Sequence, residues 1–265
     1  MLRWCAYCQQ FQGEQPPYDD LRITHGICPS CARTVDRFDT DLRTYTQART
    51  LQQIQSRLSD AGIRHDAQAA ASVIDDARTT RVRPVDALMG IVAPMLYEIG
   101  VQWERAVVSV EEATRFTAFC EELFRLVSER IAPPSFALTG SESVVLMNAP
   151  GNHHVLALRI LSLWLSGQDV RTEVVGPDEG LDDIVALVSR VRPRLVLISI
   201  ALPEQRQAVV DVVTAIAALP QSSRPTVFVG GYAVKMGLIE PIPGAELMAD
   251  IHELSTGFPT RSLTS

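Results

Sequence analysis

The stretch SVVLMNAPGNHHVLALRILSLWL, residues 143–165, decides how the C-terminal half of the chain reads. It begins with an apolar, β-rich run from Ser143 to Met147, turns through a loop holding Asn148, Pro150 and Gly151, and resumes as an amphipathic helical pattern from His154 to Leu165. The alternation continues downstream. Strand-like runs cover Val170–Val175, Leu195–Ile200 and Thr226–Val229, with a possible fifth at Glu246–Ala249, and helical stretches at Leu181–Val191 and Gln205–Leu219 lie between them. Strands separated by helices of this length require crossover connections, so residues 140–258 are expected to form an α/β domain around a parallel sheet covered on both faces. Ligands bind such sheets beyond the carboxyl ends of the strands, which puts Gly151, His153 and His154 at the ligand edge.

Upstream, over residues 40–133, the apolar period becomes helical: Leu51, Ile54, Leu58 and Ala61; then Leu88, Ile91, Met95 and Ile99; then Phe116, Phe119, Leu123, Leu126 and Val127. A weaker helix over Asp66–Arg78 completes an all-α domain of about four helices, a four-helix bundle. Ser109 and Glu112 have the spacing of a capping box and mark the start of the last helix. Pro94 falls inside the third helix, where a missing N–H and a ring clash cost roughly 3 kcal/mol, so a kink is expected there. Pro133 and Pro134 are expected to end the bundle.

Residues 1–36 are rich in Cys, Gln, Pro and Gly and have too few periodic apolar positions to build a core. Four of the chain's five cysteines fall here, as Cys5-x-x-Cys8 and Cys28-x-x-Cys31 separated by nineteen residues. That is the spacing of a zinc ribbon, in which two knuckles deliver four thiolates to one tetrahedral metal, leaving no open position and hence a structural role. A redox dithiol is the alternative. His25 is a further candidate to replace one sulfur or support the knuckle, and Cys120 falls on the apolar stripe of its helix.

Hydrophobic residues make up 46% of the chain, ample for two or three packed units. The net charge of −7, with Lys and Arg scattered, gives no footprint for direct nucleic-acid binding. No run of about 18 uninterrupted apolar residues suggests a membrane span, and no signal peptide is visible, so the expected location is cytoplasmic.

The loop after the first strand of the C-terminal domain lacks a Gly-x-Gly-x-x-Gly phosphate loop and a P-loop lysine, so nucleotide binding has little support. Its histidines have another use: a neutral imidazole nitrogen is a good ligand for cobalt, iron or zinc. A histidine that merely hydrogen-bonds nearby backbone at a helix start is the plainer reading of His154, and His153 is its rival as a ligand.

These residues resemble the Rossmann-like, flavodoxin-like cobalamin-binding domains of corrinoid proteins, methionine synthase and mutases. The family signature is Asp or Glu, any residue, His, two residues, Gly, then a Ser-containing strand end and a Gly-Gly pair. Here the corresponding positions are Asn152, His154 and Ala157, then Ser199 and Ala201 in LISIAL, then Gly230 and Gly231 in VFVGGY. The resemblance implies that His154 replaces the cofactor's own benzimidazole beneath cobalt and that the displaced tail threads past Ser199 and Gly230. Glycines at the strand end then suit a tail that needs close approach to backbone. Asn152 stands in for the usual carboxylate and Ala157 for a glycine. The helical segment VAPMLYEIGVQW, residues 92–103, resembles the cap that precedes cobalamin domains in light-sensing repressors and corrinoid proteins. In the light-sensing group Glu-His follows the Trp after nine residues, near the upper axial face; Ala113 and Thr114 occupy those places here.

The expectation is therefore a small zinc ribbon, a four-helix-bundle cap and a Rossmann-like domain, with the cofactor held between the last two. The function expected is non-enzymatic: an adenosylcobalamin-based light sensor with His154 below cobalt and Trp103 stacking above it or serving simply as core. Smaller residues at 113 and 114 leave room for a bilin such as biliverdin, as in the photocobilins. Signalling would pass through a homo-oligomer or a downstream protein. A corrinoid carrier of methyl groups between methyltransferases is the rival, and a degenerate interaction scaffold the third reading.

Overall fold

The computed structural model describes residues 1–34, 41–131 and 143–256. Pro133 and Pro134, and the boundaries drawn at 36, 40, 133, 140 and 258, lie outside the described residues. The chain divides into two compact units, Met1–Pro133 and Pro134–Ser265.

In the first unit, β1 (Leu2–Cys5), β2 (Phe11–Glu14) and β3 (Ile23–Gly26) form a small sheet of order β2-β1-β3, with β2 antiparallel and β3 parallel to β1. A single turn, α1 (Pro29–Ala32), follows. The bundle consists of α2 (Asp41–Ile63), α3 (Ala67–Ala77), a composite third helix and α6 (Val110–Arg130). Leu51, Ile54, Leu58 and Ala61 are buried along α2, and Phe119, Leu123, Leu126 and Val127 along α6, so the apolar stripes face the core as expected. Asp66 caps α3 by accepting the Ala69 N–H at 2.9 Å. Both halves of the Ser109–Glu112 capping box are made: the Ser109 N–H donates to Glu112 at 2.8 Å and the Glu112 N–H to Ser109 at 3.2 Å.

The composite helix runs α4 (Pro84–Ala87), a π-turn (Leu88–Val92) and α5 (Ala93–Glu104). The kink expected at Pro94 takes the form of this π-turn, in which the Ala93 N–H reaches five residues back to the Leu88 carbonyl. The widened turn adapts the backbone just ahead of the proline, whose ring would crowd an α-helical carbonyl four residues before it. Pro84–Glu104 is 21 residues, long and apolar enough to cross a membrane by length and composition alone, and half of its most apolar stretch is buried within the fold. Leu88 and Ile91 are fully enclosed, whereas Met95 and Ile99, expected on the same stripe, are only half-buried.

The second unit contains β4 (Ser143–Asn148), α7 (Leu156–Ser166), β5 (Arg171–Val174), α8 (Leu181–Val191), β6 (Leu195–Ser199), α9 (Arg206–Ala217), β7 (Thr226–Gly230), α10 (Tyr232–Lys235) and β8 (Glu246–Leu247). The sheet is parallel throughout with order β5-β4-β6-β7-β8. That is the flavodoxin-like order, whose switch point lies between β4 and β6. All six residues of β4 are buried, which explains why its sequence shows no polar alternation. Val188, Val196, Val209 and Val229 pack the core around it, each at most 1% exposed.

Candidate cofactor site and metal centre

Three residues line up across the carboxyl edge of the sheet: Asn148 pairs with Ser199, and Ser199 with Gly230. This row sits at the switch point, where β4 and β6 part to opposite crossovers. Backbone bonds continue past it, from Ala149 N–H to the Ser199 carbonyl at 2.8 Å and from Ile200 N–H to the Gly230 carbonyl at 2.9 Å. Asn148 was not singled out from the sequence. It is buried, and its Nδ2 donates to the carbonyls of Asn152 at 3.3 Å and His154 at 3.2 Å, tying the loop back to the strand. The signal available was a polar residue ending an otherwise apolar strand.

The loop itself turns at Gly151, whose φ of +82° suits glycine. Asn152, which stands in for the usual carboxylate, is buried, and its Oδ1 accepts the backbone N–H of His154 at 3.0 Å. The helix begins at Leu156, two residues later than expected, so His154 stands in the exposed loop rather than in the helix. Among the described residues nothing bonds to its imidazole. His153 is exposed as well, its Nδ1 3.7 Å from the exposed Asp178 carboxylate, beyond hydrogen-bonding distance. The His154 ring nitrogens are unengaged, the state a metal ligand needs, and Asn148 and Asn152 bond its main chain. Ala157 is half-buried in the first turn of α7, and the Ala201 N–H donates to Gln205 Oε1 at 3.0 Å, fixing the turn after β6.

The glycine pair also has a cause within the domain itself. A Cβ at Gly230 would lie 2.9 Å from the Met248 carbonyl, and one at Gly231, where φ is +98°, only 2.6 Å from the Ile200 carbonyl and 2.9 Å from Ser199 Oγ. Both glycines are required by the sheet's own backbone, whatever lies beyond its edge.

In the first unit, Trp103 is 48% exposed at the end of α5, unlike a core tryptophan. Ala113 is half-buried and Thr114 exposed on the first turns of α6, with the Thr114 hydroxyl turned back to the Val110 carbonyl at 2.7 Å.

Cys5, Cys8, Cys28 and Cys31 converge with all four sulfurs within 4.8 Å of one another. The Cys8 and Cys28 sulfurs are 3.8 Å apart. Thiolates about 2.3 Å from a tetrahedral zinc have sulfur–sulfur edges of about 3.8 Å, whereas a disulfide spans about 2.05 Å. The Cys28 N–H points at Cys5 Sγ and the Cys31 N–H at Cys28 Sγ, each at 3.4 Å. Gln9, directly after the first knuckle, takes a φ of +58° that returns the chain into β2. The hydrogen bond from Cys8 is the first of several that pull the Cys5 thiol down to about 4, while Cys8, as donor and by burial, moves up. A cation relieves the competition of four such sulfurs for negative charge, and the four cysteines can hold zinc. His25 is not drawn into the set; its Nε2 is buried without a hydrogen-bond partner among the described residues. Cys120 is fully buried, and burial pushes its thiol up to about 12, as a packing residue requires.

Comparison with known proteins agrees with this geometry. Residues 142–237 match the B12 binding domain family, and residues 54–127 match a second family of B12 binding domain. No protein of curated function matches the chain significantly. Among solved structures, the Methanosarcina barkeri monomethylamine corrinoid protein superimposes with a TM-score of 0.62 at 15% identity, covering 78% of this chain and 96% of its own. The methanol:cobalamin methyltransferase complex MtaBC of the same organism gives 0.36 at 11% identity, covering 84% of both chains. A cobalamin-binding protein from Desulfitobacterium hafniense DCB-2 gives 0.41 at 14% identity, covering 75% of this chain and 94% of its own. The two matched domains support a cobalamin-binding protein; the first superposition supports its fold.

Proposed function

We propose that this cobalamin-binding protein holds its corrinoid at the carboxyl edge of the second unit with His154 as the lower ligand of cobalt, and that it serves as a light-responsive sensor loaded with adenosylcobalamin. The observation that carries the histidine assignment is the exposed, unengaged imidazole on a loop that Asn148 and Asn152 pin from below. The residues fit the cofactor's chemistry: a neutral imidazole is offered at a sheet switch point, and the Ser199 hydroxyl stands at the strand end where the displaced tail needs a polar partner. When bound, adenosylcobalamin supplies a light-labile cobalt–carbon bond.

The chain's own part is to present and to respond. Pinning the backbone of residues 152–154 reduces the ordering cost of ligation. The exposed Trp103, with only Ala113 and Thr114 where the light-sensing group carries Glu-His, favours a sensor whose helical unit accepts a large planar neighbour such as biliverdin. Signalling needs a differential interaction with two states, which loss of an upper ligand provides, and its output is a change in oligomeric state or in contact with a downstream protein. In this reading the protein is a cytoplasmic non-enzyme with a structural zinc at its four N-terminal cysteines.

A second reading, a corrinoid carrier passing methyl groups between methyltransferases, is favoured by the fold shared with the monomethylamine corrinoid protein. One experiment separates the two. The full chain is produced with adenosylcobalamin and biliverdin, and visible spectra and molecular size are recorded in darkness and after green and red light. Retention with a light-driven change supports the sensor, retention without one supports the carrier, and failure to retain any corrinoid refutes both.

A further inference from the structure

The N-terminal sheet does not stand apart from the bundle. Trp4 and Phe11, on β1 and β2, are 0% and 1% exposed, and their rings meet each other at 5.6 Å. Both lie against Gly90 in the middle of the π-turn. A Cβ at Gly90 would fall 2.5 Å from Phe11 Cδ2 and 2.7 Å from Trp4 Cζ2, so only glycine lets the two rings close on the helix. The Trp4 indole N–H has no hydrogen-bond partner among the described residues, which leaves packing to hold the ring. The sheet is also fastened by Gln55 of α2, whose Nε2 donates to the Leu21 carbonyl at 2.8 Å.

The cysteine cluster lies at the ends of the same strands. Cys5 ends β1 one residue after Trp4, and Cys8 precedes β2, three residues before Phe11. Arg83, at the start of the composite helix, donates from Nε and Nη2 to the fully buried Asp86 carboxylate at 2.6 and 2.8 Å. Against the burial of the guanidinium, Asp86 holds Arg83 in its charged form. A segment this short cannot keep two aromatic rings seated by its own core; metal binding is then folding free energy for the whole wedge.

We propose that zinc bound by Cys5, Cys8, Cys28 and Cys31 clamps the Trp4–Phe11 wedge onto Gly90 and so sets the shape of the composite helix Pro84–Glu104, making that helix responsive to metal loading. The inference rests on the zinc reading above and is independent of the corrinoid. The helix lies within residues 54–127, the segment matching a B12 binding domain, so the metal centre acts on a structural element of the cap rather than only on its own loop.

The test uses the purified full chain, free of corrinoid, under reducing conditions. Zinc is removed with a chelator and counted with a metal-responsive dye, while backbone hydrogen exchange is followed over residues 84–104 and, as reference, residues 181–191 of the second unit. The expected result is one zinc per chain, exchange over 84–104 faster by about tenfold or more on its removal, no change over 181–191, and recovery when zinc is returned. Gly90→Ala separates the wedge from the metal: zinc should stay bound while exchange over 84–104 approaches that of the stripped wild type. A chain that binds no zinc overturns the zinc reading and the clamp with it. Zinc released with exchange over 84–104 unchanged, or a zinc-loaded Gly90→Ala protein that exchanges like wild type, overturns the clamp alone.

Discussion

The side-chain oxygen of Asn152 accepts the backbone N–H of His154 at 3.0 Å, so the asparagine braces the main chain and leaves the imidazole untouched. A position where the family signature carries a carboxylate is here a backbone support. Asn152→Ala strips an acceptor from a buried site and should lower the stability of the second unit by about 1–2 kcal/mol in urea unfolding. It should also weaken corrinoid retention, because the loop is no longer preorganised. Asn152→Asp keeps an acceptor at the same place and should retain more corrinoid than the alanine variant, as read by gel filtration of the loaded protein.

Two glycines of the same edge should respond differently to alanine. Gly231 combines a φ of +98° with an Ile200 carbonyl 2.6 Å from the new Cβ, so Gly231→Ala should cost about 2–4 kcal/mol. Gly151 has a φ of +82° but open space around the Cβ, so Gly151→Ala should cost only about 1 kcal/mol. Chemical denaturation of the two variants side by side checks the order.

The cysteines divide into a cluster of four that can hold zinc and one packing residue. Serine at Cys5, Cys8, Cys28 or Cys31 should abolish stoichiometric zinc in elemental analysis. Cys120→Ser should leave the zinc count at the wild-type value and cost about 1–3 kcal/mol, since it buries a hydroxyl at a fully enclosed position.

The capping box of α6 gives a pH dependence with a definite sign. The Ser109 N–H, and then its hydroxyl, hold the Glu112 carboxyl below its usual value. A depressed carboxyl contributes stability that is present above its unfolded pKa and is lost as pH falls through the folded value. Thermal melts should therefore lose a small increment on acidification through the lower carboxylate range, and Ser109→Ala should flatten that part of the profile.

What the sequence made legible was local or periodic. The cysteine spacing, the Ser109–Glu112 pair and the alternating strands and helices each carry their signal within a few residues, and the structure forms all of them. What stayed hidden depends on neighbours distant in the chain. Asn148 works through carbonyls that reach it only once the loop folds back, and Gly90 is glycine because Trp4 and Phe11, some eighty residues earlier, close on it. Gly230 and Gly231 were legible as a motif, but their cause, the Met248 and Ile200 carbonyls, is set by strand pairing. The π-turn ahead of Pro94 was visible only as an expected kink, because the missing N–H says that the helix must adapt and not how.

The central claim is that His154, and not His153, ligates cobalt. The visible spectrum of the chain loaded with cobalamin tests it most directly, compared between wild type, His154→Ala and His153→Ala. The account predicts a shifted spectrum for His154→Ala and a wild-type spectrum for His153→Ala; a shift confined to His153→Ala, or identical spectra from all three proteins, would contradict it.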